Sequence, residues 1–594
     1  MKYSQIACRP FALFVFLGCA LAQTPQTTAA ASQVPSNSPP TPTFHTSTRM
    51  VTLEVVARDH HGQPVQGLTA DDFRVIEQIS KHEEHTQKIA AFRAVSVAEI
   101  AARDKGRVQL PPGVYTNLVT MDKHPVPPTI LLIDGLNTDR VSQAQVHRQM
   151  IRMLASIPSD MPVSVFLLGR NLKLIQKFTT DPELLKTALQ KAQTVESNQS
   201  TEVEPQDDPD ALSASAETME HFPPDSLNAM EQFEREVYAT QMDQRVLITL
   251  DALRAISRYA SGYPGRKNLL WISSSFPVSI DPDVSLGFAG LRNYIDQMSD
   301  LGGEFAESKI AIYPMDPAGL QVSSMFQAGS RVRGAGNPQR MGGQLAREDQ
   351  SRYNRETTMR VLAEDTGGIV CVNDNDLGDC VRKAVNDGSS FYEIAYYPDS
   401  GSWSGEYHKI MVKTSKSGVH LAYRRGYYAK SRPTDEKIAD RELQEAACRD
   451  LLNSTFLLMA AKQIPVDEPG KARYFMEIDP GKLTFTSQSD GARELALKVG
   501  VCTFDKSGKP LQFMEQSINP TLSDKQYSAV QANGYPHYVL LTASAGVATV
   551  RLVVQDMASG EMGSVNIPYK EMVASAATSS TSGAAPAPPA QTMH

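Results

Sequence analysis

The sequence predicts an α/β fold: a doubly wound, mostly parallel sheet, flanked by an N-terminal β unit and a C-terminal antiparallel β-sandwich. Three observations carry this expectation. The run Thr129-Ile130-Leu131-Leu132-Ile133-Asp134 is apolar without alternation, as in a strand buried on both faces of a parallel sheet. From there to about residue 397 strand-like and helix-like patterns alternate, the order that builds parallel sheets with helices on both faces. Beyond residue 435 short strand-like runs are joined by Gly, Ser, Asp and Lys turns, as in a sandwich.

In chain order, residues 1–22 read as an export signal. Lys2 and Arg9 precede or border an apolar core at Phe11-Ala12-Leu13-Phe14-Val15-Phe16-Leu17, and Ala20-Leu21-Ala22 gives a small-x-small cleavage site. A lipoprotein signal with Cys19 as the lipidated residue is the alternative. Residues 23–47, rich in Thr, Ala, Ser and Pro, form a disordered linker. The N-terminal β unit spans 48–98: Val51, Leu53, Val55 and Ala57 alternate with mostly polar neighbours, and two further strands follow at 73–77 and 88–95.

The central domain spans 125–430. Val141, Val146, Met150, Met153, Leu154 and Ile157 make a helical stripe behind an N-cap at Thr138 or Asp139. Strands are expected at 163–168, 172–178, 268–272, 310–313, 369–372 and 391–397, with helices between them, one opening at Asp181-Pro182-Glu183. Two insertions interrupt the pattern. Residues 195–236 are strongly acidic and read as a solvated loop, and 321–350 are rich in Gly and Arg. A β-sandwich-like domain covers 440–572 and an Ala/Ser/Thr/Pro tail covers 573–594.

The 594 residues carry a net charge of -8 and no basic run, which argues against nucleic acid as a partner. No membrane span is expected in the mature chain. Six cysteines are present. If Cys8 and Cys19 leave with the signal, Cys371, Cys380, Cys448 and Cys502 remain, an even number that suggests two disulfides in an oxidising compartment. Three pairings are possible. Cys371 with Cys380 and Cys448 with Cys502 keeps each bridge inside one domain, and four buried thiols are the alternative.

Several stretches together resemble a known family. The Thr129–Asp134 strand with Asn137 and Thr138 resembles the first strand and metal-site turn of von Willebrand factor A-type domains. Val65 to Phe73, Ile312-Tyr313-Pro314-Met315-Asp316, Leu362 to Gly368, Tyr392 to Pro398, His408 to Val412 and Arg424 to Ala429 resemble, in the same order, the VWFA-related proteins described from acidobacteria. The resemblance implies an A-type domain over 125–430 and partner binding through a divalent cation held by Asp-x-Ser-x-Ser, a later Thr and a later Asp. Asp134 matches the first Asp and Thr138 can replace the second Ser. Leu136 stands at the first Ser, and Ser273-Ser274-Ser275 stand where the second Asp belongs. Asp134 and Thr138 alone are a poor oxygen set for a hard cation, so no cofactor is expected, with Mg²⁺ as the minority alternative.

Other motifs are weaker. His82-Glu83-Glu84-His85 has its histidines three apart near a strand turn, not four apart on a helix as a zinc protease requires. Ser274 lacks a Gly-x-Ser-x-Gly frame, and neither His124 nor His147 is placed beside it by the sequence. Asp316 and Asp365 fall near strand ends as caps. Trp271, Trp403, Tyr396 and Tyr397 read as packing. The sequence therefore points to an exported, periplasmic or extracellular, non-enzymatic binding protein with an unidentified protein, envelope or matrix partner. Its contact rim would be Asp134, Asn137, Thr138, Ser273, Ser274 and Ser275. A structural envelope component and a hydrolase working in the strand-end cleft are the alternatives.

Overall fold

The structure is a computed structural model. It describes residues 50–80, 83–96, 111–117, 127–138, 156–199, 224–274, 295–317, 356–372, 377–398, 404–430 and 436–570 apart from isolated positions, together with Gln149, Met150, Met153 and Tyr353. The signal and linker (1–47), His82, His124, His147, most of the acidic insertion, the insertion 321–350, Ser275, Trp403 and the tail 573–594 lie outside the described residues.

Strands dominate. Among the described residues they form six sheets, of which five are wholly antiparallel. This overturns the expected α/β class with a doubly wound, mostly parallel sheet as the chain's organising element. Parallel pairing is confined to one five-stranded sheet, in the order Ile310–Met315, Lys267–Ile272, Thr129–Asp134, Val163–Leu168 and Leu172–Thr179, whose last strand runs antiparallel.

Two expected members of that sheet lie elsewhere. Residues 369–372 contribute only an isolated bridge, Met315 to Cys371. Ser390–Tyr396 pairs antiparallel with Val51–Arg58 and Ile89–Ser96. The physical reason is that burial on both faces is not peculiar to parallel sheets. Tyr392, Ile394 and Tyr396 face one apolar cluster while Phe391 faces another with Val56 and Val95, so this central antiparallel strand also reads as a continuous apolar run.

The N-terminal strands are likewise not a separate unit. Phe73–Ser80 pairs with Ser404–Thr414, and His420–Ala422 extends the sheet of Val51–Arg58. Residues 51–96 and 390–430 thus interleave into two facing sheets around Leu53, Val55, Val75, Ile394, Ile410 and Tyr427. Ion pairs join this sandwich to the five-stranded sheet. Arg58 holds Asp387 through two hydrogen bonds, and Tyr313 Oη donates to Asp387 at 2.9 Å. Arg266, 2% exposed, donates to the Gly367 carbonyl at 2.7 Å and sits 3.4 Å from Glu54. Burial drives the neighbouring Lys267 ammonium down to about 7 and the Glu54 carboxyl up.

The five-stranded sheet buries both faces. Ile130, Leu132, Leu269 and Trp271 pack against Leu250, Leu253 and Ile256 of the helix Pro224–Ala260 and Leu301 and Phe305 of Ile295–Glu307. Leu131, Ile133, Val165 and Leu270 pack against Leu185 and Leu189 of Pro182–Gln199 and Val381 and Ala384 of Leu377–Ser389. Asp181 caps its helix by accepting from Glu183 N and Leu184 N, with Pro182 first in the helix. The acidic insertion is partly helical, since these elements include residues 195–199 and 224–236.

The C-terminal region places two four-stranded sheets around Leu457, Tyr474, Leu497, Val501, Val539 and Leu552. Its first sheet recruits Val114–Thr116 from far upstream. The helix Glu436–Cys448 lays Leu443, Ala446 and Ala447 against Cys502 and Val553. Both expected disulfides are present: Cys371–Cys380 ties the end of residues 369–372 to the next helix, and Cys448–Cys502 pins the helix to the sandwich. Among the described residues no helix is long and apolar enough to cross a membrane, a statement that does not extend to membrane β-barrels.

Candidate functional site

Asp134 ends its strand between Val163–Leu168 and Lys267–Ile272. Strand alternation puts its side chain on the same face as Leu132, and Leu132 stands in register with Trp271. The indole therefore reaches the carboxylate, with Nε1 donating to Oδ2 at 3.0 Å. Ser273 Oγ, one step beyond the neighbouring strand, donates to the same oxygen at 3.0 Å, and Asn137 Nδ2 donates to it at 2.8 Å. Oδ1 accepts from Leu136 N at 3.1 Å and Asn137 N at 2.9 Å. Asp134 thus receives five hydrogen bonds from described residues.

The cluster reaches outward by two further links. Asn137 Nδ2 also donates to Thr249 Oγ1 of the long helix at 2.9 Å. Ser274 N donates to Thr138 Oγ1 and Ser274 Oγ to the Asn137 carbonyl, each at 3.3 Å. Asp134 and Asn137 are 1% exposed, Thr138 2% and Ser273 0%, while Ser274 is half-buried. The structure brings these residues together, but in an internal clasp with almost no contact area of their own. Burial pushes the Asp134 carboxyl upward, and the hydrogen bonds from Asn137, Ser273 and Trp271 oppose that shift.

A hard divalent cation does not fit this arrangement. It would need several oxygens with free lone pairs. Among the described residues Asp134 is the one carboxylate in the clasp, Leu136 offers no side-chain oxygen, and both carboxylate oxygens already accept protein donors. Among the described residues, the Ser273 hydroxyl donates to the Asp134 carboxylate and the Ser274 hydroxyl to the Asn137 carbonyl.

The remaining motifs resolve as follows. His85 lies on an antiparallel strand, 3.3 Å from exposed Glu83. Asp316 N donates to the Cys371 carbonyl at 2.9 Å. Asp365 is pushed up to about 6 by burial and by neighbouring Glu364. Tyr396 is buried and Tyr397 is 48% exposed. Two polar clusters escaped the sequence reading. One is the Arg58–Asp387–Tyr313 group. The other is Glu77 with His408 and Tyr427 inside the first sandwich, where Tyr427 Oη donates to Glu77 at 2.7 Å. Arg58 and Asp387, and Glu77 and its partners His408 and Tyr427, are more than three hundred residues apart, and no local pattern signals them.

No family model matches the chain, and no curated protein matches it. Similar solved structures include an aerotolerance-related membrane protein from Bacteroides fragilis NCTC 9343 carrying multiple mutations to serines. It is 10% identical over 44% of this chain and 98% of that one, with a TM-score of 0.23. The conserved hypothetical protein BatB from Bacteroides thetaiotaomicron is 10% identical over 44% of this chain and 96% of its own, with a TM-score of 0.20. At these scores the likeness decides nothing about fold or function.

Proposed function

We propose that the chain is an exported, non-enzymatic binding protein that engages a protein or matrix partner at the Asp134 end of the five-stranded sheet, without a divalent cation. The observation that supports cation independence is the saturation of the Asp134 carboxylate by the protein's own donors. Two disulfides accord with an oxidising, exported setting. The ordered stretches shared with VWFA-related proteins support reading the chain as a relative whose metal turn has been rebuilt as a clasp. On this reading Asp134, Asn137, Thr138 and Ser273 hold the turn in shape, and half-buried Ser274 and the adjoining Ser275 belong to the contact rim.

The test is capture of partners from envelope and culture fractions on the immobilised mature chain, with and without EDTA. The same partner is expected in both arms and is expected to be lost with Asn137→Ala. Loss of all capture in EDTA refutes cation independence. Capture unchanged by both Asp134→Ala and Asn137→Ala refutes the rim.

A further inference from the structure

A second surface lies in the C-terminal sandwich, on residues that play no part in the Asp134 clasp. The strand Tyr535–Thr542 is the outer member of a sheet ordered Tyr535–Thr542, Lys471–Ile478, Met459–Ile464 and Val114–Thr116. It pairs along its whole length with Lys471–Ile478 and with no other described strand. Alternate N–H and C=O groups on an edge strand point away from the sheet, here over eight residues, about 27 Å of edge.

Edges of this kind are normally blunted by charge, proline, a bulge or shortness. The opposite edge, Val114–Thr116, is three residues long. The neighbouring sheet's edge, Pro510–Ile518, carries Glu515 and has a register shift opposite Thr503 and Phe504. Tyr535–Thr542 carries no Asp, Glu, Lys or Arg and pairs without a register shift, with Pro536 only at its start. Its alternate side chains are also atypical for a solvent face. Val539 and Leu541 enter the core, whereas Tyr538 is 59% and Leu540 41% exposed.

The exposed face continues across the sheet by register. Tyr538 stands beside Phe475, then Lys462, and Leu540 stands beside Arg473, then Ile464. The Tyr538 and Phe475 rings are 5.2 Å apart at 53°, and Lys462 Nζ lies 5.7 Å from the Phe475 ring. Lys462, Arg473 and Lys471 face this side, the last paired with Glu468, against Glu477 in the next row. This local positive balance sits on a chain of net charge -8, so it favours an anionic occupant. Rings tilted by 53° do not offer a flat platform to a sugar ring, whereas an open backbone edge suits an extended peptide.

We propose that Tyr535–Thr542 receives an extended, acidic peptide segment of a partner protein as an added antiparallel or parallel strand. Backbone pairing would supply affinity and the alternate side chains specificity, the general logic of β-strand addition. Apolar side chains of the incoming segment lie beside Tyr538 and Leu540, and its carboxylates lie within reach of Arg473.

The experiment uses the full mature chain and a random twelve-residue peptide library, with recovered peptides measured by fluorescence anisotropy. The expected outcome is enrichment of peptides that combine apolar residues with Asp or Glu at positions i, i+2 and i+4, one face of a strand, because Arg473 shares its face with Tyr538 and Leu540. Methylation of alternate backbone nitrogens should weaken the best peptide at least tenfold, as should Leu540→Lys or Tyr538→Lys. Both positions point outward, and circular dichroism verifies that the variants fold. No enrichment over the Tyr538→Lys/Leu540→Lys double variant overturns the proposal. So does equal affinity of the methylated peptide, displacement by a uronic-acid polysaccharide of a peptide that itself shows no dependence on Leu540, or a wild-type dimer that Leu540→Lys dissociates, which would make a second copy the occupant.

Discussion

Replacing Asp134 by Ala tests the clasp directly. The substitution strands the donors Trp271 Nε1, Ser273 Oγ, Leu136 N, Asn137 N and one hydrogen of Asn137 Nδ2. Thr249 Oγ1 remains for the Asn137 amide, and the Ser273 hydroxyl can rotate. The indole and the two backbone donors cannot turn away. At roughly 1–3 kcal/mol for each buried donor left unmade, and with relaxation recovering part of it, the loss is about 3–5 kcal/mol. Asp134→Asn retains one carbonyl oxygen and turns the other position into a donor facing donors, so a loss of about 2–3 kcal/mol is expected. Trp271 provides the assay. The chain has two tryptophans, so in a Trp403→Phe background urea unfolding followed by tryptophan fluorescence reports the environment of the very indole that touches Asp134. The midpoint should fall in the order wild type, Asp134→Asn, Asp134→Ala, and addition of Mg²⁺ or EDTA should leave the wild-type midpoint in place. A shift below about 1 kcal/mol for Asp134→Ala would refute the claim that the carboxylate organises the turn, and a Mg²⁺-dependent rise would refute the internal-donor account.

Four further outcomes follow from the geometry. The Cys448–Cys502 bridge has a sequence separation of 54, so Cys448→Ser/Cys502→Ser should destabilise the C-terminal sandwich by about 4 kcal/mol on the chain-entropy relation, measured by urea unfolding. The Cys371–Cys380 bridge, with a separation of 9, should be worth about 3 kcal/mol on the same relation. Asp387→Ala leaves Arg58 and Tyr313 without their acceptor and should cost about 3–5 kcal/mol, whereas exposed Asp379→Ala should change the midpoint by less than about 1 kcal/mol. A Cβ at Gly368 would lie 1.9 Å from the Ile312 carbonyl oxygen, so Gly368→Ala must displace backbone and should lower thermal stability by about 3 kcal/mol or more.

The pH dependence of Asp365 has a definite sign. Burial, reinforced by Glu364, raises its carboxyl to about 6, above the unfolded value of about 3.9. A raised carboxyl favours folding in its protonated form. Its contribution is therefore fully present below about pH 4 and is lost as pH rises towards 6. Asp365→Asn should flatten this part of the stability profile between pH 4 and 6, read as the difference in Tm between variant and wild type. A difference that grows in the opposite direction would contradict the burial assignment.

How much of this was legible in the sequence depends on the distance over which each feature is decided. Thr129–Asp134 was readable because six successive buried residues leave their mark locally. The disulfides were readable because four cysteines allow few pairings and these two bridges are short in sequence. The fold class was misread at Ser390–Tyr396. Its apolar run is compatible with any strand covered on both faces, and only the register with Val51–Arg58, more than three hundred residues upstream, reveals an antiparallel sandwich. The same distance hid Arg58–Asp387 and Glu77–His408. The clasp was half visible. Its residues were named from their positions at strand ends, but their burial and the Trp271 donor follow from strand register and from Thr249 on a helix over a hundred residues away. Where the sequence shows too few oxygens for a cation, the structure shows protein donors around the carboxylate. Leu136 contributes its backbone N–H where a hydroxyl oxygen was sought, Ser273 turns its hydroxyl into a donor, and Trp271 donates to the remaining oxygen. The proposed insensitivity to EDTA rests on these donors, and the Asp134 variants and the EDTA arm test it.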